Sequence, residues 1–331
     1  MSLHNRILTY DAAINEALHQ LMENDERVFI IGQGVKSPWY VGKTTKGLYE
    51  RFGERRVIDT PVSENAMTGA ASGAALAGLR PIIMHPRMDF MVYAADQIVN
   101  EAANWRYMFG GKANMPLVIR PIINRGGEQA AQHSQALHAW FAHIPGIKVV
   151  MPATPYDAKG LLVAAVKDED PIMYIDDRAL YQEKGEVPEE LFTVEIGKAS
   201  IIQTGKDVTV VSISSMLPFV REAAEILKKE KLSIEIIDIR TVKPFDEETI
   251  LRSVKKTGRI IVADPGWKSF GASAEISAWA AEKAFRFIKA PILRVALPDC
   301  PAPSSCVLEK AYYPDARTIV KAVKKITQYA V

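Results

Sequence analysis

The chain is predicted to fold as two α/β domains, each a parallel or mixed sheet with helices on both faces, three layers in all. Three observations carry that expectation. Short runs that are apolar throughout recur along the chain, segments with helical apolar spacing alternate with them, and a charged, apolar-poor stretch at 176–197 interrupts the alternation once. A strand that is apolar at every position is one buried on both faces, as in a parallel sheet sandwiched by helices.

The first domain, expected over 1–180, opens with a helix at 10–23, where Ala13, Ile14, Ala17, Leu18 and Leu21 fall on one face. The buried-strand run Val28-Phe29-Ile30-Ile31 follows. The alternation continues through strand 57–59, helix 64–78, strand 81–85, helix 93–109, strand 116–120, helix 135–141, strand 147–150, helix 156–167 and strand 171–175. Asp176, Asp177, Arg178, Glu183, Lys184, Glu186, Glu189 and Glu190 then crowd a segment whose later part, 181–197, reads as a linker. The second domain, 198–331, restarts the pattern with strands near 199–203, 208–213, 234–239, 259–263 and 292–296 and helices near 216–229, 246–255, 271–286 and 315–328. The halves share an architecture without a fixed-period repeat.

A length of 331 residues accommodates two cores, and 48% hydrophobic against 24% charged residues is ordinary for a globular chain. With 41 basic and 39 acidic residues the net charge is +2, so no broad field for nucleic acid or an anionic membrane is expected and any anionic ligand must be held locally. Cys300 and Cys306 lie in a Pro/Ser-rich loop without metal-site spacing and read as reduced thiols. The opening Met1-Ser2-Leu3-His4-Asn5 lacks a secretory pattern and no apolar run reaches the length of a membrane span, which together point to a cytoplasmic protein.

Most motifs fail on inspection. Gly32-Gln33-Gly34 follows a strand, but the third glycine of a dinucleotide fingerprint would be Ser37. Gly42-Lys43-Thr44 would need its leading glycine at the same serine. His133, His138 and His143 recur every five residues, which turns them to different helix faces instead of stacking them as metal ligands. No Gly-x-Ser-x-Gly elbow is present. What stands out is Glu64, in Asp59-Thr60-Pro61-Val62-Ser63-Glu64, where an apolar strand breaks into a small-residue helix. A carboxyl at such a junction is placed for proton chemistry. The competing reading is an acid near a helix start, with Thr60 as N-cap, Pro61 at the first helical position and Glu64 about one turn in.

At this point the chain resembles a known family, the beta subunit of the thiamin-diphosphate-dependent decarboxylating component of 2-oxo acid dehydrogenase complexes, of the pyruvate, branched-chain and acetoin type. The carrying segments are Asp59 to Glu64, Gly78-Leu79-Arg80-Pro81, Met88-Asp89-Phe90 with Asp96 to Asn100, Ala130-Ala131-Gln132-His133-Ser134-Gln135, and Asp157 to Leu161. In the second half they are Asp238-Ile239-Arg240-Thr241 with Pro244, and Gly266-Trp267 before Gly271 to Ile276. The resemblance runs over nearly the whole chain. It implies a pyrimidine-binding domain followed by a transketolase C-terminal-like domain, and oxidative decarboxylation of a 2-oxo acid with acyl transfer to lipoyl.

The resemblance also implies site residues. Glu64 would bond the aminopyrimidine ring nitrogen of thiamin diphosphate, where moving a proton activates the cofactor. Phe90 would stack on that ring, core packing being the alternative. His133 would face the substrate, a structural histidine being the alternative. The family holds magnesium through a Gly-Asp-Gly loop that this chain lacks, so the resemblance implies an alpha-subunit partner bearing the diphosphate and magnesium, in an alpha2beta2 heterotetramer active only when assembled. Asp168 and Asp170 match a loop where some members bind potassium, with a solvated acidic turn as the alternative. Asp299 falls in the region that docks the lipoyl acyltransferase core, with a loop cap as the alternative. After Arg80-Pro81-Ile82-Ile83 many members continue with an acidic residue, whereas this chain has Met84-His85-Pro86-Arg87, and Arg87 and Arg125 are candidates for a substrate carboxylate, with surface arginines near a partner interface as the more ordinary alternative. An acetoin-cleaving or transketolase-like half-enzyme, and a non-catalytic assembly subunit, are the rival functions.

Overall fold

Apolar runs become the strands of a main sheet in each of two units. The computed structural model describes residues 5–329, and Met1 to His4, on which part of the leader reading rests, lie outside them. One unit consists of the residues up to Arg125 with Trp140–Ile196; the other consists of Gly126–Ala139 with the residues from Gly197 onward.

In the first unit, strands pair in the order Val57–Asp59, Val28–Gly32, Arg80–His85, Val118–Ile123, Ile172–Tyr174 and Lys148–Val150, all parallel. Asp176–Asp177 extends the pairing alongside Ile122 and Ile123. Strand Val28–Gly32 is buried at every position, as expected of a strand covered on both faces. Helices Tyr10–Asn24 and Pro155–Lys167 pack together, and their Ile14, Leu18, Leu161 and Leu162 join one core with Ile30 and Ile82. Because Val28–Gly32 has Val57–Asp59 on one side and Arg80–His85 on the other, the chain leaves the carboxyl ends of these neighbours in loops around one point of the sheet. Open parallel sheets place ligands there.

Three segments differ from the sequence reading. The expected linker 181–197 is folded into the first unit: Lys184–Pro188 pairs antiparallel with Asn5–Thr9, and Val187 and Val194 are buried. Its charges point outward along a strand whose other residues pack inward. Asp176 and Asp177, read with the same charged stretch, are fully buried, because Arg120 and Arg125 pair with them. The helix expected at 93–109 is broken into Met88–Met91, a tight turn at Val92–Ala94, a π-helical turn at Gln97–Ala102 and Trp105–Met108. Ala103 N–H reaches back to Ile98 O at 3.0 Å. Finally, the helix expected at 135–141 begins only at His138, because Gly126, Gly127, Glu128 and Ala130 all take left-handed backbone and keep the preceding segment irregular.

The second unit holds a five-stranded sheet in the order Ser200–Gln203, Ile234–Asp238, Val208–Ser212, Ile260–Trp267 and Leu293–Leu297, the first pair antiparallel and the rest parallel. Its helices are Leu217–Lys229, Glu247–Thr257, Ala272–Lys283, Cys306–Tyr312 and Ala316–Thr327. Their limits follow local chemistry. Asp246 accepts the Thr249 N–H at 3.0 Å to start one, left-handed Gly258 ends it, and Asp315 with Thr318 forms a capping box for the last. Among the described residues no helix is long and apolar enough to cross a membrane.

Candidate functional site

Glu64 is the first residue of helix Glu64–Leu76 and follows Ser63 at the N-cap. The helix therefore starts three residues later than a Thr60 cap with Pro61 in first place requires. Asp59 and Thr60 are occupied elsewhere: the Asp59 carboxylate accepts the Gly34 N–H at 2.8 Å and the Lys36 N–H at 3.3 Å, while the Thr60 hydroxyl donates to Met67 Sδ at 3.3 Å. Glu64 is half-buried at the positive end of the helix, and no described group bonds or pairs with its carboxylate. It is held in place while its oxygens stay uncommitted.

Phe90 lies on the short helix Met88–Met91, after strand Arg80–His85 has left the sheet. Met88, Asp89 and Met91 are buried around it, and the ring itself is half-buried. The elements bearing Glu64 and Phe90 are tied by His85, whose Nε2 lies 3.1 Å from the Thr68 hydroxyl on the Glu64 helix. Burial pushes the His85 imidazole down to about 3, so the tie is a neutral one. Sequence reasoning noted His85 only as a departure from the family pattern and missed this role.

His133 belongs to the second unit and is half-buried in the irregular segment before helix His138–His143. Both ends of its segment are fastened within that unit. At one end the buried Glu309 carboxylate accepts the Glu128 N–H at 3.1 Å on each oxygen, and Glu128 Oε1 accepts the Cys306 N–H at 3.2 Å. At the other end fully buried His138 bonds Asp264 at 3.0 Å. Asp264 also accepts the Gly266 and Ser273 N–H groups, each at 2.8 Å. Burial pushes the Asp264 carboxyl up, but His138 and those two amides outweigh it and the net shift is downward. Gly266 makes room for the pair, since a Cβ there would lie 2.9 Å from His138 Cε1. Asp264 sits beside a quoted segment but was passed over, and nothing in sequence spacing links Glu128 to Glu309, 181 positions away.

The potassium expectation at Asp168 and Asp170 does not fit the geometry. Lys148 Nζ lies 2.8 and 2.7 Å from the two Asp168 oxygens, and Arg106 pairs with Asp170 at 2.7 Å. The carbonyls of Val166 and Asp168 accept the Arg80 guanidinium at 2.7 and 3.0 Å. Protein cations occupy the oxygens an ion would need. Asp299 is exposed in a bend where Cys300 N–H reaches Pro298 O at 2.8 Å. Arg125 is drawn away from any substrate by buried Asp177 at 2.9 Å. Arg87 makes no ion pair among the described residues.

The amino-acid sequence matches two family models: the transketolase pyrimidine binding domain over residues 7–184 and the transketolase C-terminal domain over 197–319. It is 45% identical to the beta subunit of acetoin:2,6-dichlorophenolindophenol oxidoreductase from Cupriavidus necator, covering 97% of each chain. It is 41% identical to the pyruvate dehydrogenase E1 component subunit beta of Rhizobium meliloti, over 96% of this chain and 70% of that one, and 39% identical to the subunit of the same name from Rickettsia felis, over 98% and 99%. The fold aligns with a split-gene transketolase described as an inactive beta4 tetramer, at TM-score 0.79 and 21% identity over 97% of this chain and 99% of the other. Through both family models and these full-length relatives, the chain belongs to the transketolase-like family, as a homologue of the beta subunits of pyruvate dehydrogenase and acetoin oxidoreductase.

Proposed function

We propose that this chain is the beta subunit of a thiamin-diphosphate-dependent 2-oxo acid dehydrogenase that decarboxylates a 2-oxo acid oxidatively and passes the acyl group to lipoyl. The observation that carries the reading is Glu64, a half-buried carboxylate with no partner among the described residues at the carboxyl-end loop of a parallel sheet, with Phe90 borne by the loop after a nearby strand. That pairing suits an aminopyrimidine, which needs a carboxyl at its ring nitrogen and an apolar plate against its face. When bound, thiamin diphosphate supplies the electron sink for cleaving the bond next to the carbonyl. Glu64 would hold and return a proton at that nitrogen, Phe90 would fix the ring plane, and His133 would stabilise charge on the substrate side. The alpha subunit would bring the magnesium and diphosphate site, in an alpha2beta2 assembly in a cytoplasmic setting. Asp299, exposed in its bend, is available to a lipoyl acyltransferase core.

A second reading, cleavage of acetoin, is favoured by the 45% identity to a subunit named for acetoin. The test is to reconstitute the chain with its alpha partner and assay 2-oxo acids, acetoin and an aldose donor with a lipoyl acceptor. Turnover is expected only with both chains present and with a 2-oxo acid. Glu64→Gln should reduce it at least a hundredfold, about the contribution of a positioned acid–base group, while the assembly stays intact. Unimpaired turnover in that variant rejects the role of Glu64; activity with acetoin alone selects the second reading, and an assembled complex inert to all three supports a purely structural subunit.

A further inference from the structure

Arg87 and Arg178 combine two features that the other buried or half-buried arginines of the first unit do not, no ion pair among the described residues and donors left mostly unspent; Arg56, also without an ion pair there, spends its donors on the carbonyls of Met22, Asp25 and Val28. Arg120 and Arg125 have buried aspartates, and Arg80 has Glu169. Arg87 and Arg178 make no ion pair among the described residues, and Asp89 acts on Arg87 only at a distance. Arg87 spends one donor on Pro86 O at 2.9 Å, and Arg178 spends one on Tyr40 O at 2.8 Å. The Nε of each is buried without a partner. Burial first, then the charge of Arg178, pulls the Arg87 side chain below its ordinary value, against a smaller opposing pull from Tyr40 and Asp89. Each fork carries five donors, so most of the donor capacity of this cationic pair is unspent.

Their place in the fold says what would use it. Arg87 follows the carboxyl end of Arg80–His85 and precedes Phe90 by three residues. Arg178 follows Asp176–Asp177, which pairs with the carboxyl end of Val118–Ile123, the strand next to Arg80–His85. Both arise at the ligand-binding edge of the sheet that carries Glu64. We propose that Arg87 and Arg178 form an oxyanion site that takes an acid group of the substrate, a carboxylate or a phosphate, gripped by two forks whose planar donors match its oxygens. The substrate role rests on the proposed function; the oxyanion site does not. Sequence reading paired Arg87 with Arg125, but Asp177 claims Arg125 and the fold puts Arg178 in its place.

The test uses the complex with its alpha partner, saturated with thiamin diphosphate and magnesium. Calorimetric titration with inorganic phosphate should show one site per beta chain. Arg87→Met and Arg178→Met should each weaken it by about tenfold or more, as removal of a charge-assisted fork does, and Arg178→Lys should keep part of the binding. Arg55→Met, at an exposed arginine, is the control. In turnover, kcat/KM for 2-oxoglutarate should fall about tenfold in either Met variant and hold in Arg55→Met. If pyruvate falls equally, the site holds the carboxylate shared by all 2-oxo acids; if pyruvate holds steady, it takes a second acid group. Absence of phosphate binding in the wild-type complex, as when an acidic side chain of the alpha chain covers the pair, overturns the proposal, as does a loss matched by Arg55→Met. So does phosphate binding with no fall in kcat/KM for any oxo acid that is turned over. A complex inert to every oxo acid that still binds phosphate through both arginines would keep the oxyanion site and reject the oxidative reaction.

Discussion

The neutral tie between His85 and Thr68 makes this chain sensitive to acid in a way that one substitution exposes. Buried His85 is pushed down to about 3, against 6.5 for an unhindered imidazole. The unfolded chain therefore binds the proton first as pH falls. The contribution is intact above about pH 6.5, declines through the window below it, and is fully lost only near pH 3. Between about pH 7.5 and about pH 5 the imbalance grows to roughly one and a half protonation decades, or about 2 kcal/mol at 1.36 kcal/mol per unit. Urea unfolding of the wild type and of His85→Gln at those two pH values isolates the term, since every other titrating group is common to both. Glutamine can still bond Thr68 and does not titrate. The wild type should lose about 2 kcal/mol more than the variant on acidification, whatever their offset at neutral pH. Equal losses would refute the claim that His85 is held neutral by burial.

Two further predictions concern packing in the first unit. Asp176→Asn should cost about 3–5 kcal/mol in urea unfolding, because it strands the Arg120 guanidinium where Asp176 now accepts at 2.9 and 2.7 Å with both side chains fully buried; a loss below about 1 kcal/mol, the worth of a surface pair, would show that water reaches the site. Gly146→Ala should cost about 2–4 kcal/mol, since Gly146 has φ +85° and its Cβ would lie 2.0 Å from Ala103 O. Gly53→Ala, at φ +73° with nothing within 4 Å, carries the backbone cost alone, about 1 kcal/mol, and equal losses at the two sites would argue against crowding.

The regular core was legible because its cause is local. Helix Tyr10–Asn24 and strands Val28–Gly32 and Val57–Asp59 fall within a residue or two of the periodicity that foretold them. What escaped depends on contacts between distant positions. The charges at 176 and 177 read as part of a charged stretch because nothing local shows Arg120 and Arg125 opposite them. The break in the helix expected at 93–109 coincides with the approach of Gly146 to the Ala103 carbonyl. At the site, Glu64 was legible as a carboxyl at a strand–helix junction, but its cap was misplaced because Asp59 and Thr60 serve the loop after Gly32 and a methionine sulfur instead. His138 and Asp264, 126 positions apart, had no shared signal at all.

The strap that bears His133 is buckled at each end by an acid, Glu309 at one and Asp264 at the other, with Ala136 and Leu137 buried between. Its end fastenings are thus electrostatic, while the sheets owe their order to exclusion of water. Acid, or the exchange of either acid for its amide, would slacken the strap while leaving the sheets standing, so that, given the role proposed for His133, competence would fade before shape does.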